Sequence, residues 1–310
     1  MLGCGKPSPE RRIALRIGIY GTQDMLPYFV MRARKLDIQN GLRFVETRYE
    51  GGAGVIEAMA AGNLDVGYVG TVPLLVAAEN DIVPSKVIAI AGNNRSDPDH
   101  PAGGALVSFS VKSWRDLEGE NIAVNALTSI STAAMKGRLA HEGVKHYRVV
   151  VIPFANMGLA VAGGNVAAAT MYEPFLTQSL DRGDGKLLDW IIGAPPFARM
   201  ETTVTVFRAA LRQSDPAVAK AFLRAQLQAV KWINNNPTDS RSVLAKYLNL
   251  GKSAGEKMRL LDWPMYQRHD PALLQEMQKA LQQIGAFTAS VPIKPLFDET
   301  LLSEILAEKR

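Results

Sequence analysis

The sequence predicts an α/β protein of two lobes, each a mostly parallel sheet flanked by helices, followed by a helical C-terminal region. Three observations predict it: an internal echo, an alternation of strands and helices across residues 13–192, and a purely helical periodicity beyond residue 207. The echo is the strongest. Its first copy is Val55-Ile56-Glu57-Ala58-Met59-Ala60-Ala61-Gly62-Asn63-Leu64-Asp65, an apolar run over 66–69, then Gly70-Thr71-Val72-Pro73. The second, about a hundred residues on, is Gly158-Leu159-Ala160-Val161-Ala162-Gly163-Gly164-Asn165-Val166, a run over 167–171, then Tyr172-Glu173-Pro174. Each reads as a small-residue helix, a Gly-Asn stop, a buried strand and a proline opening the next helix, where a missing N–H has no partner to lose. The copies differ where Asp65 is matched by Ala167, and the prolines fall one place apart. Two such units predict two lobes that turn strand ends and helix starts toward one cleft, a usual place for a small ligand.

The elements follow in order. Ile13, Leu15, Ile17 and Ile19 alternate with polar or small residues and end at Gly21-Thr22-Gln23, a strand and its turn. Residues 27–36 form a helix and 42–49 a strand that stops at Gly51-Gly52. After the first echo unit come a helix over 73–80 and a strand over 87–90. Residues 93–101 are polar and turn-rich and read as a surface loop. The second lobe takes an extended 105–109, a short helix at 114–117, strands at 121–125 and 147–152 around a helix over 133–141, the second echo unit, a helix over 174–180 and a strand over 187–192. Residues 200–207 are β-branched and extended. Beyond them Ala219, Leu223, Leu227 and Val230 make one amphipathic stripe, and further helices are expected near 239–248, 253–261, 271–284 and 298–308. The extended segments 104–110 and 200–207 bracket the second lobe. Lobe 1 is therefore expected as 13–103 plus 200–310, lobe 2 as 104–199, joined by a two-strand hinge that permits closure.

Bulk properties narrow the function. The chain has 310 residues, 47% hydrophobic and 21% charged, ordinary for a globular protein with room for two cores. A net charge of +5 is spread without a basic block, so no nucleic-acid partner is expected. No run approaches the roughly 18 apolar residues of a membrane-spanning helix. Cys4 is the single cysteine, which rules out an intrachain disulfide. Met1-Leu2-Gly3-Cys4-Gly5 looks like the end of a bacterial lipoprotein signal, so residues 1–12 are read as a tail with Cys4 a candidate lipid attachment and the one point of membrane contact. His100, His141, His146 and His269 have no metal-ligand spacing, and no P-loop, dinucleotide fingerprint or nucleophile elbow is present. Neither a metal nor a cofactor is expected.

Glu57-Ala58-Met59-Ala60-Ala61-Gly62-Asn63-Leu64-Asp65-Val66-Gly67-Tyr68, Trp114-Arg115-Asp116-Leu117-Glu118-Gly119-Glu120-Asn121-Ile122-Ala123-Val124, Tyr172-Glu173-Pro174, and Ala221-Phe222-Leu223-Arg224 leading to Trp232-Ile233-Asn234-Asn235-Asn236-Pro237 occur in a fixed order. In that order they resemble the substrate-binding proteins of ABC importers, the nitrate/sulfonate/taurine and thiamin-precursor group with the type II periplasmic-binding fold. The resemblance covers nearly the whole chain. It implies a periplasmic or extracytoplasmic monomer without chemistry of its own, which captures a small polar solute and delivers it to a membrane permease.

The candidate ligand-binding residues follow from the strand ends. Thr128, Ser129, Ser131 and Thr132 lie between a strand and a helix, where hydroxyls cap and free N–H groups attract an anion. Gly70 and Thr71 end the first echo strand, and Thr22, Gln23 and Gly52 occupy the same topological place. Tyr172 could stack on a flat ligand, and Glu173 could pair with an amine, which would favour a zwitterion or heterocycle over a simple anion. The competing reading is an enzyme on the same bilobed fold acting on a small heterocycle or carboxylate. The yeast-type thiamin pyrimidine synthases resemble this group too, but their cysteine-rich motif is missing. A transcription regulator would need a helix-turn-helix segment, for which the first dozen residues leave no room.

Overall fold

Ten strands build the computed structural model, which describes residues 12–285 and 287–308. Cys4 lies outside the described residues. The strands are β1 (Ile13–Ile19), β2 (Leu42–Arg48), β3 (Val66–Gly70), β4 (Val87–Ser96), β5 (Gly103–Val107), β6 (Asn121–Val124), β7 (Arg148–Val151), β8 (Ala168–Tyr172), β9 (Lys186–Ile192) and β10 (Met200–Arg208). They form two five-stranded sheets, ordered β2-β1-β3-β10-β4 and β7-β6-β8-β5-β9. The two orders are the same pattern, with β6, β7, β8, β9 and β5 standing where β1, β2, β3, β4 and β10 stand.

Each sheet is mixed, with four of its five strands running in one direction, as the mostly parallel expectation has it, and one strand running against them. β1 pairs in parallel with β2 and β3, but β10 runs antiparallel to both β3 and β4. In the second sheet β6 is parallel to β7 and β8, and β5 is antiparallel to β8 and β9. The reason is connectivity. β5 and β10 are the strands on which the chain arrives from the other sheet, so each enters at the end where its neighbours finish. The connections that lead into them, residues 97–102 and 193–199, touch at Gly193, whose φ of +91° L side chains rarely adopt. A Cβ there would lie 2.4 Å from the Asp97 carbonyl oxygen.

Apolar alternation explains the cores. Leu15, Ile17, Val66, Tyr68, Val204 and Val206 are fully buried in the first sheet, as are Leu106, Ile122, Ala169 and Met171 in the second. The echo units superpose on this plan: the helices Gly52–Ala60 and Phe154–Ala162 each precede the middle strand of their sheet, β3 and β8. The long helix Pro216–Asn235 starts at Asp215, whose carboxylate accepts from Val218 N, and buries Ala219, Leu223, Leu227 and Val230 as their spacing predicts. The helix expected near 253–261 is shorter, Lys252–Lys257.

One larger difference concerns 93–101. β4 continues to Ser96, and Asn93, Asn94 and Ser96 are buried. Their polarity is absorbed by partners that a local reading does not see. Asn93 Nδ2 donates to Thr203 Oγ1 (2.8 Å) and to the Asp24 carbonyl (3.0 Å), and Gln267 Nε2 donates to the Asn93 carbonyl (2.8 Å). A polar run can lie inside when most of its groups are matched, and here Asn93 Oδ1 is left without a partner.

Candidate functional site

A cavity of about 310 Å³ lies between the two sheets. Its first wall comes from the strand ends and helix starts of the first sheet: Tyr20 and Thr22 after β1, Asp24 in the turn beyond, Gly51 and Gly52 before a helix, and Gly70 at the end of β3. The second wall comes from the same places in the second sheet: Asn125 after β6, Ser129 and Ser131 at the start of the helix Ile130–His141, Phe154 opening its helix, and Tyr172 ending β8. Thr203 of β10 also lines it. An adjoining compartment of about 450 Å³ shares Thr22, Tyr49, Glu50 and Phe154 and adds Arg48 and Phe175.

Two kinds of surface meet here. The helices Gly52–Ala60 and Thr71–Glu79 begin at Gly51 and Gly70, which have no side chain to cap them, and the first of these starts lies on the cavity wall with Gly51, Gly52, Ala53 and Gly54. Gly52 leaves little room for a side chain: a Cβ would sit 3.0 Å from Gly70 N and 3.1 Å from Val69 Cα, where the helix start approaches β3. The opposite wall offers hydroxyls. Ser129 and Ser131 place their Oγ atoms 2.7 and 2.6 Å from Asn125 Oδ1, and Ser129 Oγ caps its helix by accepting from Thr132 N at 3.2 Å. Asn125 Nδ2 then faces Gly51 across the cleft, 3.8 Å from where a Cβ would stand.

Asp24 is the charged group at the bottom. Its carboxylate accepts from Thr22 Oγ1 (2.9 Å) and from Asn94 Nδ2 (3.1 Å). The Asn94 orientation is set by Thr202, whose hydroxyl donates to Asn94 Oδ1. Burial pushes the Asp24 carboxyl up to about 6, against the lowering effect of those two hydrogen bonds. Burial also raises the phenols of Tyr20 and Tyr172 well above their ordinary value, with the Asp24 charge adding to both. Tyr20 donates to the Tyr68 carbonyl at 3.3 Å, whereas the Tyr172 hydroxyl is buried with no hydrogen-bond partner.

The structure brings Thr22, Gly52, Gly70, Ser129, Ser131 and Tyr172 together on the cavity wall. It places the other candidates elsewhere. Thr71 Oγ1 donates to the Glu201 carbonyl at 2.7 Å inside the first lobe, and Thr132 Oγ1 donates to the Ala126 carbonyl at 2.6 Å. Thr128 is exposed. Glu173 turns away from the cavity: its carboxylate accepts from Thr177 N (3.1 Å), Thr177 Oγ1 (2.8 Å) and Arg259 N (3.5 Å). Burial raises its pKa against those bonds. Gln23 does related work, its N–H donating to the Glu173 carbonyl (3.2 Å) and its Oε1 accepting from Leu261 N (3.1 Å). Gln23, Glu173 and the stretch 259–261 thus tie the two lobes together behind the cleft.

Tyr20, Asp24, Tyr49, Asn125, Phe154 and Thr203 line the cavity and were not among the sequence candidates. Tyr20, Tyr49 and Asn125 each directly follow a strand, so the strand-end rule could have found them. Asp24 and Thr203 carry no local signal.

Residues 8–249, more than three quarters of the chain, match the NMT1-like family. The chain belongs to that family. Over 195 residues this NMT1-like chain is 26% identical to the taurine-binding periplasmic protein of Escherichia coli K12, a match that takes in 61% of the chain and 57% of that protein's length. Its fold is similar to that of the alkanesulfonate-binding protein of Xanthomonas axonopodis pv. citri bound to MOPS, with a TM-score of 0.75 and 18% identity over 92% of this chain and 98% of that one. The desulfurization enzyme DSZB shares the fold as well, at a TM-score of 0.73 and 16% identity over 96% of this chain and 100% of the other. The two mixed sheets are those of the type II periplasmic-binding-protein fold.

Proposed function

We propose that this NMT1-like protein is the solute-binding receptor of an ABC import system, taking a small polar ligand of the sulfonate, taurine or nitrate type between its lobes and passing it to a membrane permease outside the cytoplasm. One observation carries the reading. The cavity is walled from both sheets by helix starts and hydroxyls, the donors that hold an anionic group without a neutralising side chain. The division 13–103 plus 200–310 against 104–199 supplies the moving parts, and the crossing at Gly193 supplies the hinge about which they close. The enzyme reading needs a nucleophile with a base beside it. Among the described residues the cavity wall holds no cysteine, histidine or lysine, and Ser129 and Ser131 are oriented by the neutral amide of Asn125.

A thermal-shift screen of ligand-stripped protein tests this, with nitrate, bicarbonate, alkyl and amino sulfonates, aromatic acids, polyamines and thiamin-precursor heterocycles. A ligand at a hundred times its Kd adds about 2.7 kcal/mol, which is read directly as a rise in Tm. The expected result is a saturable shift with the ligand recovered unchanged. Conversion of the ligand would instead support an enzyme.

A further inference from the structure

Three features of the cavity do not belong to the recognition of a plain anion. The first is Asp24 itself, 6% exposed and lining the cavity floor. A buried carboxylate beside an anion site repels what the helix starts attract, unless something cationic stands between them. The second is that no protein cation stands on this wall beside it, Arg48 lining only the adjoining compartment. Among the described residues no Lys, Arg or His nitrogen lies within 4.0 Å of Asp24, and the wall of the 310 Å³ cavity contains none of these residues. The groups around Asp24 are neutral: Thr22 from its own turn and Asn94 from β4 bond its carboxylate, Asn93 from β4 bonds its carbonyl, and the Tyr20 and Tyr172 phenols feel its charge. The only other carboxylate on the cavity wall, Glu50, is exposed at the mouth.

The third feature is what surrounds the carboxylate. Tyr20 and Tyr172 both line the cavity, and Phe154 lies 6.1 Å from the Tyr172 ring in a tilted arrangement. Aromatic faces around a carboxylate are a favourable seat for a cationic nitrogen, which gains from the ring quadrupoles as well as the charge. Each Asp24 oxygen already accepts one hydrogen bond, from Thr22 or Asn94, and can accept another. The Tyr172 hydroxyl, buried and without a partner, is a further polar group left for a ligand to match.

Resting on the receptor reading, we infer that the cleft selects a solute bearing a cationic nitrogen, held by Asp24 between Tyr20 and Tyr172, with the solute's anionic group at the helix starts of Gly52 and Ser129. The ligand class is a short zwitterion. It keeps the taurine-like part of the receptor reading and leaves out plain sulfonates and nitrate.

The test uses matched pairs that differ only in the amine: 2-aminoethanesulfonate against ethanesulfonate and 3-aminopropanoate against propanoate, with nitrate as the bare anion. Calorimetry on the full chain at pH 7.5 is expected to give the amino member at least tenfold tighter binding in one pair. In Asp24→Asn that ratio is expected to fall below threefold, a change of selectivity that a merely structural aspartate would not produce. On the unaltered protein, lowering the pH from 7.5 to 5 is expected to weaken the amino member alone. Equal affinities within each pair, unchanged in Asp24→Asn, would leave the receptor intact and overturn the cationic seat. Tightest binding of nitrate would do the same. Protein that binds neither the pairs nor any member of the wider panel would overturn the receptor reading and this inference with it.

Discussion

The two lobes have one strand order and one cleft-facing plan, yet at matched positions they furnish their walls with different materials. With the echo units aligned, Gly52 and Gly70 of the first lobe stand where Phe154 and Tyr172 stand in the second, and all four line the cavity. Tyr20 after β1 corresponds in the same way to Asn125 after β6. The first lobe brings the bare backbone of Gly51, Gly52 and Gly70 together with both carboxylates of the wall, Asp24 and Glu50, and the Tyr20 and Tyr49 rings. The second brings rings, hydroxyls and an amide. A duplicated architecture thus becomes an asymmetric site without altering its topology: where one wall gives way to backbone, the facing wall can project a ring into the space.

Four substitutions would break or sharpen that comparison. Gly52→Val would have the largest effect, since its side chain meets the Gly70 backbone at 3.0 Å. Overpacking of this kind costs about 3 kcal/mol, read as a lower urea midpoint together with lost ligand binding, whereas Ala155→Val on the opposite helix should leave the midpoint nearly unmoved. Asp24→Asn should act in the other direction. A carboxyl whose pKa rises to about 6 on folding binds its proton more readily when folded, so stability falls as pH climbs from about 4 to 6 and stays low above. Removing the charge should therefore stabilise the ligand-free protein at pH 7.5 by up to about 3 kcal/mol, at the rate of 1.36 kcal/mol per pKa unit, and the gain should vanish near pH 4. A Tm that is unchanged or lower at pH 7.5 would mean that the carboxylate is not strained in the empty cleft.

Asp65→Ala probes the one point where the echo itself diverges. Burial alone would raise the Asp65 pKa, but hydrogen bonds from Arg16 and Arg208 hold it below the ordinary carboxylate range. Such a group stabilises above the unfolded pKa and loses that contribution as pH falls through the folded one. Both arginines are partly exposed, so the expected loss is about 2 kcal/mol at pH 7, shrinking below pH 4. The second lobe, with Ala167 in this place, needs no such clamp. The smallest effect is expected for Phe154→Ala, a tenfold weaker Kd, about 1.4 kcal/mol, with a modest fall in Tm. Equal affinity would show that the ring only fills space.

The alternation and the echo were enough to place the strands of the two sheets, because apolar period and turn residues are local properties. What they could not show is what each polar group finds at long range. Residues 93–96 look like a loop until Thr203, Asp24 and Gln267 arrive to bond them, the last from 174 residues away. Glu173, the most pointed residue in its segment, spends its charge on Thr177 and on Arg259, 86 residues downstream. Asp24 is the converse case. Nothing near it in sequence marks it out, and its isolation from any cation appears only once β4, β8 and β10 have closed around it.

The tight crossing at Gly193 has a consequence for affinity. On the receptor reading proposed above, each wall taken alone would be a weak half-site, since the cavity is lined from both sheets. Two short connections that touch at one glycine keep the second half-site beside the first at high effective concentration, and linked weak sites bind far more tightly together than either alone. The same arrangement makes release easy to trigger. On that reading, a partner that spread the lobes by a small angle would not have to compete for the solute, because separating the halves would return each to its own low affinity.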